Sequence, residues 1–454
     1  MPITYQKMVY SDYGLTAKIP VKFPPGATLT CSHEKGAASY DITNDTGEYT
    51  FKVHTKGVWT ISATDGFQTD TKQVTITHDG QITGEVILAF TGIFGIQRNI
   101  LSESTAWTRT DMAVGATATP SIGTIAGHSD FDKVLPWRGI IREKIRDQIS
   151  DTDDIMVKIP KFYFQRYLEG DIEHIRISSL PQDGFSVHPV FKEGGKEHDY
   201  VYIGAYTSFN SEIRHNGTWK DISYSQSGKT IGTKVTRDAA RQMATIKGKG
   251  YHLFDIAAWS AIQMLFLVEF AEFDSQKIFG EGKDTPLLST GTCDNVPNLT
   301  GRPAGTDGEV DIIYRGIEGI WGNAGEWVDG INVNGTTYFV CADPSKYRDN
   351  TSTGYARLSY RGEAEDTQFK YNGTDTANPW VMLCPYNNNA WWDEHWSLDG
   401  PNDLYVPASG WGCLSICNNG TATWYDIGLF YQNFSYTATQ SSAYIGSRLM
   451  YVPS

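Results

Sequence analysis

The chain has 454 residues, of which 40% are hydrophobic and 13% aromatic, and its formal net charge is −14. This length exceeds what one ordinary core organises, so we expect two or three domains. The negative charge argues against the nucleic-acid backbone as a partner and favours solubility. The first residues have no apolar core of the secretory kind, which predicts no export by such a signal. The longest mostly apolar stretch, Ile262 to Val268, is too short for membrane insertion.

Residues 1–90 have the pattern of an all-β module. Stretches such as GEYTFKVHTKGVWTISATDG alternate apolar with polar residues, and Gly, Asp and Asn interrupt them at about 8–12-residue spacing. This pattern predicts a small β-sandwich. The stretch GVWTISATDG also resembles immunoglobulin-like modules of bacteriophage tail proteins. The resemblance implies a spacer, or a unit that docks to other tail proteins.

Residues 91–153 are rich in Gly, Ala, Thr and Pro, which predicts an irregular connector packed on the next domain. Within them, IIREKIRDQISD is interpreted as a short helix or an excursion. Residues 154–454 then form one large α+β domain, whose first strands are expected in IMVKIPKFYFQRY and HDYVYIGAYTS.

Two helices are predicted in this domain. Thr236 offers an N-cap oxygen ahead of RDAARQMATIKG, and Gly248 or Gly250 is expected to end that helix. A second helix should begin near Asp255, and because its sequence is apolar nearly all round, it should be buried.

The most informative motif is GIEGIWGNAGEWVDG, where Trp321 and Trp327 flank the compact turn from Gly322 to Glu326. Small residues let such a turn pack under two indoles, and Asn323 and Glu326 are expected to satisfy its buried amides. The alternative is that Glu326 acts as a catalytic acid. A carboxylate between two tryptophans in a tight turn favours the structural interpretation.

The stretches GIWGNAGEWV, TRDAARQMATIKGKGYHLFDIAAWSAI and the terminal YIGSRLMY, in their order, resemble the C-type-lectin fold of the formylglycine-generating-enzyme subtype. The resemblance covers about Asp154 to Ser454 and implies an α+β C-type lectin-like domain.

The enzymatic branch of that family binds copper with a late cysteine pair. Here the late pair is Cys413 and Cys417, with three residues between them where the family pattern has four. A copper-dependent oxidase therefore stays as an alternative. The Glu-Pro-Asn motif of calcium lectins is absent.

The other cysteines form no Cys-x-x-Cys and no zinc-ligand spacing, so we expect buried free thiols, no metal and no cofactor. A Cys413–Cys417 disulfide is the alternative for the late pair. The six cysteines are Cys31, Cys293, Cys341, Cys384, Cys413 and Cys417.

The pattern WGC…CNNG…GLFY…IGSRL is similar to that of variable proteins of diversity-generating retroelements, which share the lectin-like fold. In that system template adenines are copied with errors, so Asn codons change to codons for Tyr, Ser, Phe, Ala, Thr or Asp. The resemblance implies a variable region near residues 418–445. Within it, Trp424, Gln432 and Gln440 do not fit the adenine rule and are either fixed or derived from other codons.

The same region has the composition of a recognition surface. Tyr offers a large contact area with few rotatable bonds, Ser and Thr offer adaptable hydrogen bonds, and positions that vary cannot lie in a core. The predicted ligand-binding residues are Thr423, Trp424, Tyr425, Asp426, Gln432, Phe434, Ser435, Tyr436, Thr439, Gln440, Ser442, Ala443 and Tyr444. The predicted scaffold residues are Trp321, Gly322, Asn323, Glu326, Trp327, Trp411, Gly412, Gly446 and Arg448. An ordinary polar loop is the alternative interpretation.

These observations lead us to expect a non-enzymatic receptor-binding protein, carried on a phage tail tip or fibre, with a host cell-surface protein or glycan as its ligand. A bacterial surface adhesin is a further alternative. A homotrimer is one expectation because fibres are often trimeric, although no heptad seam is visible. The aromatic run WWDEHW, Trp391 to Trp396, is interpreted as an aromatic patch near the same binding face, with a metal site at Asp393 and His395 as the alternative.

Overall fold

The computed structural model describes residues 15–23, 27–36, 39–43, 46–64, 69–88, 92–102, 104–147, 149–283, 286–305, 308–361, 367–368, 373–383, 403–405, 410–416 and 428–453. The chain divides into two compact units, Met1–Gly92 and Ile93–Ser454. Strands are far more abundant than helices in both. The protein is therefore β-rich.

The described strands of the first unit form two sheets. They are β1 (Ala17–Lys22), β2 (Thr28–His33), β3 (Ser39–Thr43), β4 (Glu48–Val53), β5 (Gly57–Thr64), β6 (Thr69–Ile76) and β7 (Val86–Ile87). One sheet has the order β4-β1-β7 and the other β3-β2-β5-β6. Ile19 and Phe51 from the first sheet share one core with Leu29, Trp59 and Ile61 from the second. The unit is a sandwich, and the alternation in its sequence reflects one buried and one exposed face on each strand.

The second unit contains the remaining strands and all three described α-helices. The strands up to its helices are β8 (Ile93–Asn99), β9 (Thr108–Asp111), β10 (Ala118–Thr119), β11 (Ser121–Ile122), β12 (His128–Ser129), β13 (Ile141–Arg146), β14 (Asp153–Pro160), β15 (Tyr163–Glu169), β16 (Ile172–Ser178), β17 (Ser186–Val187), β18 (Lys192–Glu193), β19 (Lys196–Glu197), β20 (Tyr200–Gly204), β21 (Phe209–His215) and β22 (Thr218–Tyr224).

The later elements of this unit are mostly short. They are α1 (Arg237–Thr245), β23 (Tyr251–Leu253), α2 (Ile256–Phe270), α3 (Ser275–Phe279), β24 (Gly301–Arg302), β25 (Ile313–Tyr314), β26 (Ile317–Glu318), β27 (Gly325–Trp327), β28 (Ile331–Asn334), β29 (Thr337–Val340), β30 (Ala356–Arg361), β31 (Thr367–Gln368), β32 (Asp403–Tyr405), β33 (Trp411–Ile416), β34 (Gln432–Tyr436), β35 (Ile445–Gly446) and β36 (Leu449–Tyr451).

Four larger sheets organise these strands. Their orders are β17-β15-β16-β8-β9, β13-β14-β20-β36-β23, β11-β24-β25-β26 and β30-β29-β28-β33-β34-β32-β31. In addition, β27 joins the last sheet by pairing with β33 and β35. The penultimate strand β35 and the last strand β36 therefore lie in different sheets, which fixes the end of the chain at two places.

Residues 93–153 contribute strands to the sheets of the second unit. In particular, β8 pairs with β16 along its whole length, and β13 pairs with β14. The expectation of a helix in IIREKIRDQISD is wrong, because Ile141 to Arg146 form the edge strand β13. Its residues are all exposed or half-buried, and charged residues commonly protect such an edge from further pairing.

The two predicted helices are confirmed at their starts. Thr236 Oγ1 accepts a hydrogen bond from Ala239 N (3.2 Å), and Asp255 Oδ1 accepts one from Ala258 N (2.8 Å). The first helix ends at Thr245, slightly before the predicted glycines. Every residue of α2 is buried, as its apolar sequence predicts. This helix forms the centre of the second unit.

Candidate ligand-binding surface

The C-terminal segment, residues 428–444, passes from the core to the surface. Its strand β34 lies between β33, to which it is antiparallel, and β32, to which it is parallel. It therefore has a partner on both sides, as a strand inside a sheet requires. The segment then turns at residues 437–440 and returns to β35, which lies beside β27.

The first half of the segment is buried. Phe430 stacks on Phe273 with ring centroids 4.3 Å apart, and the Phe434 ring lies 5.5 Å from that of Tyr338. Leu429 N donates to Ser275 Oγ (2.9 Å), beside the central helix. Residues 429–434 are all buried, with Phe434 at 0% exposure.

The prediction that Gln432 and Phe434 bind a ligand is therefore wrong. Gln432 and Phe434 are part of the core and cannot contact a ligand from the surface. The prediction treated the whole stretch from Gln432 to Tyr444 as one recognition surface. In the structure Gln432 to Tyr436 form β34, and the first three residues of that strand are buried.

The second half of the segment is accessible. Among the predicted residues, Ser435, Thr439, Gln440 and Ala443 are exposed, and Tyr436, Ser442 and Tyr444 are half-buried. These seven residues run from Ser435 and Tyr436, the last two residues of β34, to Tyr444, directly before β35, and we call them the terminal surface. The predicted Thr423, Trp424, Tyr425 and Asp426 lie outside the described residues, as do Cys417 and the run Trp391 to Trp396.

Backbone contacts fix the terminal surface at both ends of its return path. Ser442 O accepts from Lys234 N (2.8 Å), and Tyr444 O accepts from Gly325 N (2.8 Å). These bonds use main-chain atoms only, so they do not depend on which side chains occupy positions 442 and 444. The Tyr436 ring meets Trp327 edge-on, with centroids 5.8 Å apart.

Gln440 has a different role from its exposed neighbours. Its Oε1 accepts from Thr437 N (2.6 Å) and so closes the turn of the terminal surface. Short side-chain-to-backbone bonds of this kind stabilise turns. Gln440 therefore supports the shape of the loop as well as lying on it, and Ser442 does so too, because its Oγ accepts from Tyr444 N (3.1 Å).

The frame beneath the surface is built around a buried ion pair. Arg448 Nε donates to Glu326 Oε2 (2.9 Å) and Arg448 Nη2 to Glu326 Oε1 (2.7 Å), and both side chains have 0% exposure. Thr207 Oγ1 also donates to Glu326 Oε1 (2.7 Å). Arg448 further donates to Gly204 O (2.7 Å) and Glu318 O (2.8 Å). The guanidinium therefore connects four separate parts of the chain.

This pair corrects the expected role of Glu326. Its two oxygens accept from Arg448 and Thr207, not from amides of its own turn. A fully buried carboxylate with both oxygens engaged has no access to a substrate, which argues against a catalytic acid at this position. β27 also pairs in parallel with β35, Glu326 opposite Gly446. The motif and the end of the chain thus form one unit.

The tryptophans and Asn323 complete the turn. Trp321 Nε1 donates to Gly280 O (3.1 Å) and Trp327 Nε1 to Val235 O (2.9 Å). Asn323 Oδ1 accepts from Leu288 N (2.8 Å), so the amide that it satisfies belongs to another segment. The turn requires glycine at position 322 for two reasons. Gly322 has a left-handed φ of +77°, and a Cβ on it would lie 2.7 Å from Lys283 N.

The other predicted scaffold residues also support the frame. Gly412 is buried and pairs with Val333, while the half-buried Trp411 packs against Phe339 with ring centroids 5.9 Å apart. Gly446 is buried, and a Cβ on it would lie 3.1 Å from Gly232 O. The strands on either side of the terminal surface are therefore closely packed.

Buried carboxylates near Arg448 were not predicted. Glu318 accepts from Gly291 N (2.6 Å) and Cys293 N (2.9 Å), and Asp311 Oδ2 accepts from Asn323 Nδ2 (2.9 Å). Burial raises the pKa of both carboxyls, and Asp311 raises that of Glu318 further. No local pattern identifies these residues, because their partners come from distant parts of the chain.

The described cysteines are compatible with an inert interior. Cys31, Cys293, Cys341 and Cys413 are free and buried. Burial raises the pKa of Cys413 to about 11, which keeps it a thiol near neutral pH.

Within the described ranges, no group of three or more His, Cys, Asp or Glu is arranged to hold a metal ion. In the same ranges no helix is long and apolar enough to cross a bilayer.

No protein-family model matches this chain, and no curated protein matches it.

Proposed function

We propose that the protein is a non-enzymatic ligand-binding protein whose C-terminal domain, of the C-type-lectin kind, presents an exchangeable surface that a retroelement diversifies. One observation supports this most strongly. Among the described residues of the predicted variable region, those up to Phe434 are buried, and those from Ser435 to Tyr444 are accessible apart from Ala438. Its accessible part is held by main-chain bonds at Ser442 and Tyr444.

The charge and chemistry of the terminal surface suit a neutral, hydrogen-bonding ligand. Residues 435–444 carry no ionisable acid or base apart from two tyrosines, and Ser and Thr supply most of the remaining groups. Tyrosine hydroxyls and rings provide contact area at low entropic cost. A host cell-surface protein or glycan is the proposed ligand. The first unit, as an immunoglobulin-like module, would attach the protein to a phage tail.

The rival function is a copper-dependent oxidase of the formylglycine-generating type. It requires thiolate ligands at Cys413 and Cys417, and the buried, protonated state of Cys413 is unfavourable for that role. Titration of the reduced full-length protein with Cu(I) tests it. Stoichiometric binding that Cys413→Ser abolishes would support the oxidase and contradict the binding protein.

The proposed function is tested by exchanging the terminal surface. Full-length wild type and a variant with Ser435→Tyr, Thr439→Asp and Ala443→Asn are labelled, and their binding to a panel of bacterial strains is measured by flow cytometry. We expect the variant to lose or change the strains that it binds while its melting temperature stays within a few degrees. A matched control introduces the same three residue types at exposed positions of the first unit, as Thr50→Tyr, Thr75→Asp and Gln73→Asn. An unchanged strain profile in the folded variant would contradict the proposal.

The retroelement part of the proposal has a separate test in the neighbouring DNA. We expect a near-copy of the 3′ end of the gene beside a reverse-transcriptase gene. The two copies should differ mainly where the near-copy has adenine, at the codons of Ser435, Tyr436, Thr439, Ser442, Ala443 and Tyr444. Differences spread evenly over all four bases would contradict diversification by this route.

A further inference from the structure

A β-hairpin made of β21 and β22 begins beside the terminal surface. Asn210, the second residue of β21, donates from its Nδ2 to Gly232 O (3.2 Å). Two residues along the chain, Lys234 N donates to Ser442 O (2.8 Å) in the terminal surface. The base of the hairpin and the terminal surface are therefore attached to the same short segment, residues 232–234.

The hairpin holds its outer rungs in a fixed arrangement. Its strands pair along their whole length, and the turn residues Asn216 and Gly217 have φ +49° and +81°, the left-handed pair that a two-residue hairpin turn requires. Ser223 Oγ donates to Asn210 Oδ1 (2.9 Å) at the base. Among the described strands, β21 and β22 pair only with each other. Such a preformed element loses little entropy when it binds.

Four exposed side chains share one face of this hairpin. Residues opposite each other in an antiparallel pair point to the same face, and the face changes with each rung. Glu212 is opposite Asp221, and Arg214 is opposite Trp219 two rungs nearer the turn, so these four lie on one face, whereas Lys220 lies on the other. All four are exposed, and we call them the hairpin face.

Trp219 has a 68% exposed side chain. Of the nine tryptophans that the structure describes, seven are buried and Trp411 is half-buried, so Trp219 stands apart. Its indole has no hydrogen bond and no cation over its ring within the described chain. Exposed tryptophans on a rigid element commonly serve as hot spots of protein interfaces.

The two carboxylates of the hairpin face are not compensated. Like charges directly opposite each other destabilise a pair of strands, and Glu212 and Asp221 are such a pair. Arg214 lies on the same face, but no ion pair joins it to either carboxylate in the described parts of the chain. A cation that a partner supplies would offset this repulsion, so the hairpin face complements a basic group beside an apolar one.

The hairpin face and the terminal surface are close enough for one partner. The base at Asn210 is two residues from Lys234, about 7 Å, and the rung of Trp219 is about 14 Å farther along the hairpin. A standard protein interface buries about 800 Å² on each partner, which corresponds to a patch about 30 Å across. One folded protein can therefore cover both.

We infer that the hairpin face and the terminal surface together bind one folded cell-surface protein, which presents a basic group to Glu212 and Asp221 and an apolar group to Trp219. This inference rests on the proposed function and names the class of its ligand. The hairpin lies outside the predicted variable region, so it supplies a contact that stays the same while the terminal surface changes. Exchange of the terminal surface then selects among related proteins.

A cell-surface glycan fits these observations less well. Bacterial polysaccharides that carry charge are mostly acidic, and both the hairpin face and a chain of net charge −14 repel them. A neutral glycan leaves the opposed carboxylates without a cation. The two ligand classes are separated by treating the cells that the protein binds.

The test uses the full-length protein and cells of every strain that wild type binds in the flow-cytometry panel. We expect proteinase K treatment of the cells to abolish binding and periodate oxidation of their glycans to leave it unchanged. Trp219→Ala should weaken binding to all of these strains by at least about tenfold, while Trp219→Tyr, which keeps an aromatic ring, should retain most of it. Glu212→Gln/Asp221→Asn should weaken binding by about threefold or more and reduce its dependence on salt.

The matched control is Asp171→Asn/Asp183→Asn, which removes two exposed carboxylates of the second unit outside the hairpin and should leave binding unchanged. Melting temperatures establish that each variant is folded, and the carboxylate variant carries the test if Trp219→Ala unfolds. Binding that survives proteinase K and is lost after periodate overturns the inference in favour of a glycan.

The remaining outcomes distinguish this inference from the proposed function. If the hairpin variants bind like the control while exchange of the terminal surface still changes the strain profile, the inference fails and the proposed function stands. If exchange of the terminal surface changes nothing while Trp219→Ala abolishes binding, the proposed function fails, and the shared surface fails with it. Wild type that binds no strain contradicts both.

Discussion

The two halves of the C-terminal segment differ in whether their side chains can be exchanged while the protein still folds. Residues 428–434 are all buried or in the turn that leads into β34, and they contact Phe273, Tyr338 and Ser275 in the interior. Residues 435–444 are mostly accessible, and the rest of the chain holds them largely by their backbone. Similar compositions therefore have opposite roles, one as core and one as surface.

This difference shows where exchange of residues is compatible with folding. A buried side chain is surrounded at high density, so a change in its volume is costly. An exposed side chain on a backbone-anchored loop has no such constraint. Within the terminal surface, the exposed positions Thr439 and Ala443 are thus among the described residues that can change with least effect on folding, whereas Gln440 closes the turn and Tyr436 packs on Trp327.

The largest expected effect comes from breaking the frame at Arg448. Arg448→Met leaves Glu326 buried without its cation and leaves two carbonyl oxygens without donors, so we expect a loss of about 3–5 kcal/mol in the free energy of unfolding. Urea denaturation measures it. Arg146→Met is the matched control, because Arg146 pairs with Asp151 and Asp153 at the surface, where solvent screens the charges, and its loss should cost far less. Equal losses would contradict the frame.

The next effect separates the two halves directly. Phe434→Ala removes a fully buried ring and should cost about 3–4 kcal/mol by urea denaturation, since the cavity cannot collapse completely. Phe434→Leu should recover much of that loss. If Phe434→Ala costs no more than Ser435→Ala on the same strand, the division of the segment is wrong.

A smaller effect concerns Asp255, which caps the central helix α2. Gln263 of this helix donates to Leu429 O (3.2 Å) and so supports the buried half of the segment. Burial, together with the charge of Asp329, raises the pKa of Asp255 to about 6, although Ala258 N and the Tyr347 hydroxyl donate to its oxygens.

Because this pKa is higher in the folded than in the unfolded chain, the contribution of Asp255 to stability is complete below about pH 4 and is lost as the pH rises through about 6. Asp255→Asn keeps a capping oxygen and removes the titration. Between about pH 5 and about pH 7.5, we expect wild type to lose about 1–2 kcal/mol more than the variant. If the pH profiles of unfolding free energy are parallel for wild type and Asp255→Asn, the titration of Asp255 does not contribute to stability.

Local signals in the sequence predicted the local structure well. The caps Thr236 and Asp255 mark helix starts by a mechanism that acts within three residues, and the apolar surface of α2 required burial. The edge strand β13 was wrongly expected as a helix or an excursion, because its closely spaced charges obscure the alternation. Which strand lies beside β13 decides its conformation, and that information is not local.

The site was predictable only in part for the same reason. Glu326 and Arg448 were both identified as scaffold, but they are 122 residues apart, and their pairing depends on how β27 meets β35. Gln432 and Phe434 were assigned to the surface because composition alone does not show which part of a stretch enters a sheet. Trp219 gave no signal in the sequence, since its exposure follows from the hairpin on which it lies.

The smallest expected effect belongs to the exposed half, and it is the sharpest test of the comparison. Thr439→Asp and Ala443→Asn should each change the free energy of unfolding by less than about 0.5 kcal/mol, because both positions are exposed. Ser435→Tyr should cost up to about 1 kcal/mol, because it removes the hydrogen bond from Ser435 Oγ to Asn433 Oδ1 (2.6 Å). Gln440→Ala is the informative control, since it removes the bond from Thr437 N and should cost about 1 kcal/mol. Urea denaturation of all four variants measures both. If Gln440→Ala lowers the free energy of unfolding no more than the substitutions at the exposed positions do, Gln440 does not hold the turn. Losses at Ser435, Thr439 and Ala443 similar to that at Phe434 would mean that this half, too, belongs to the core.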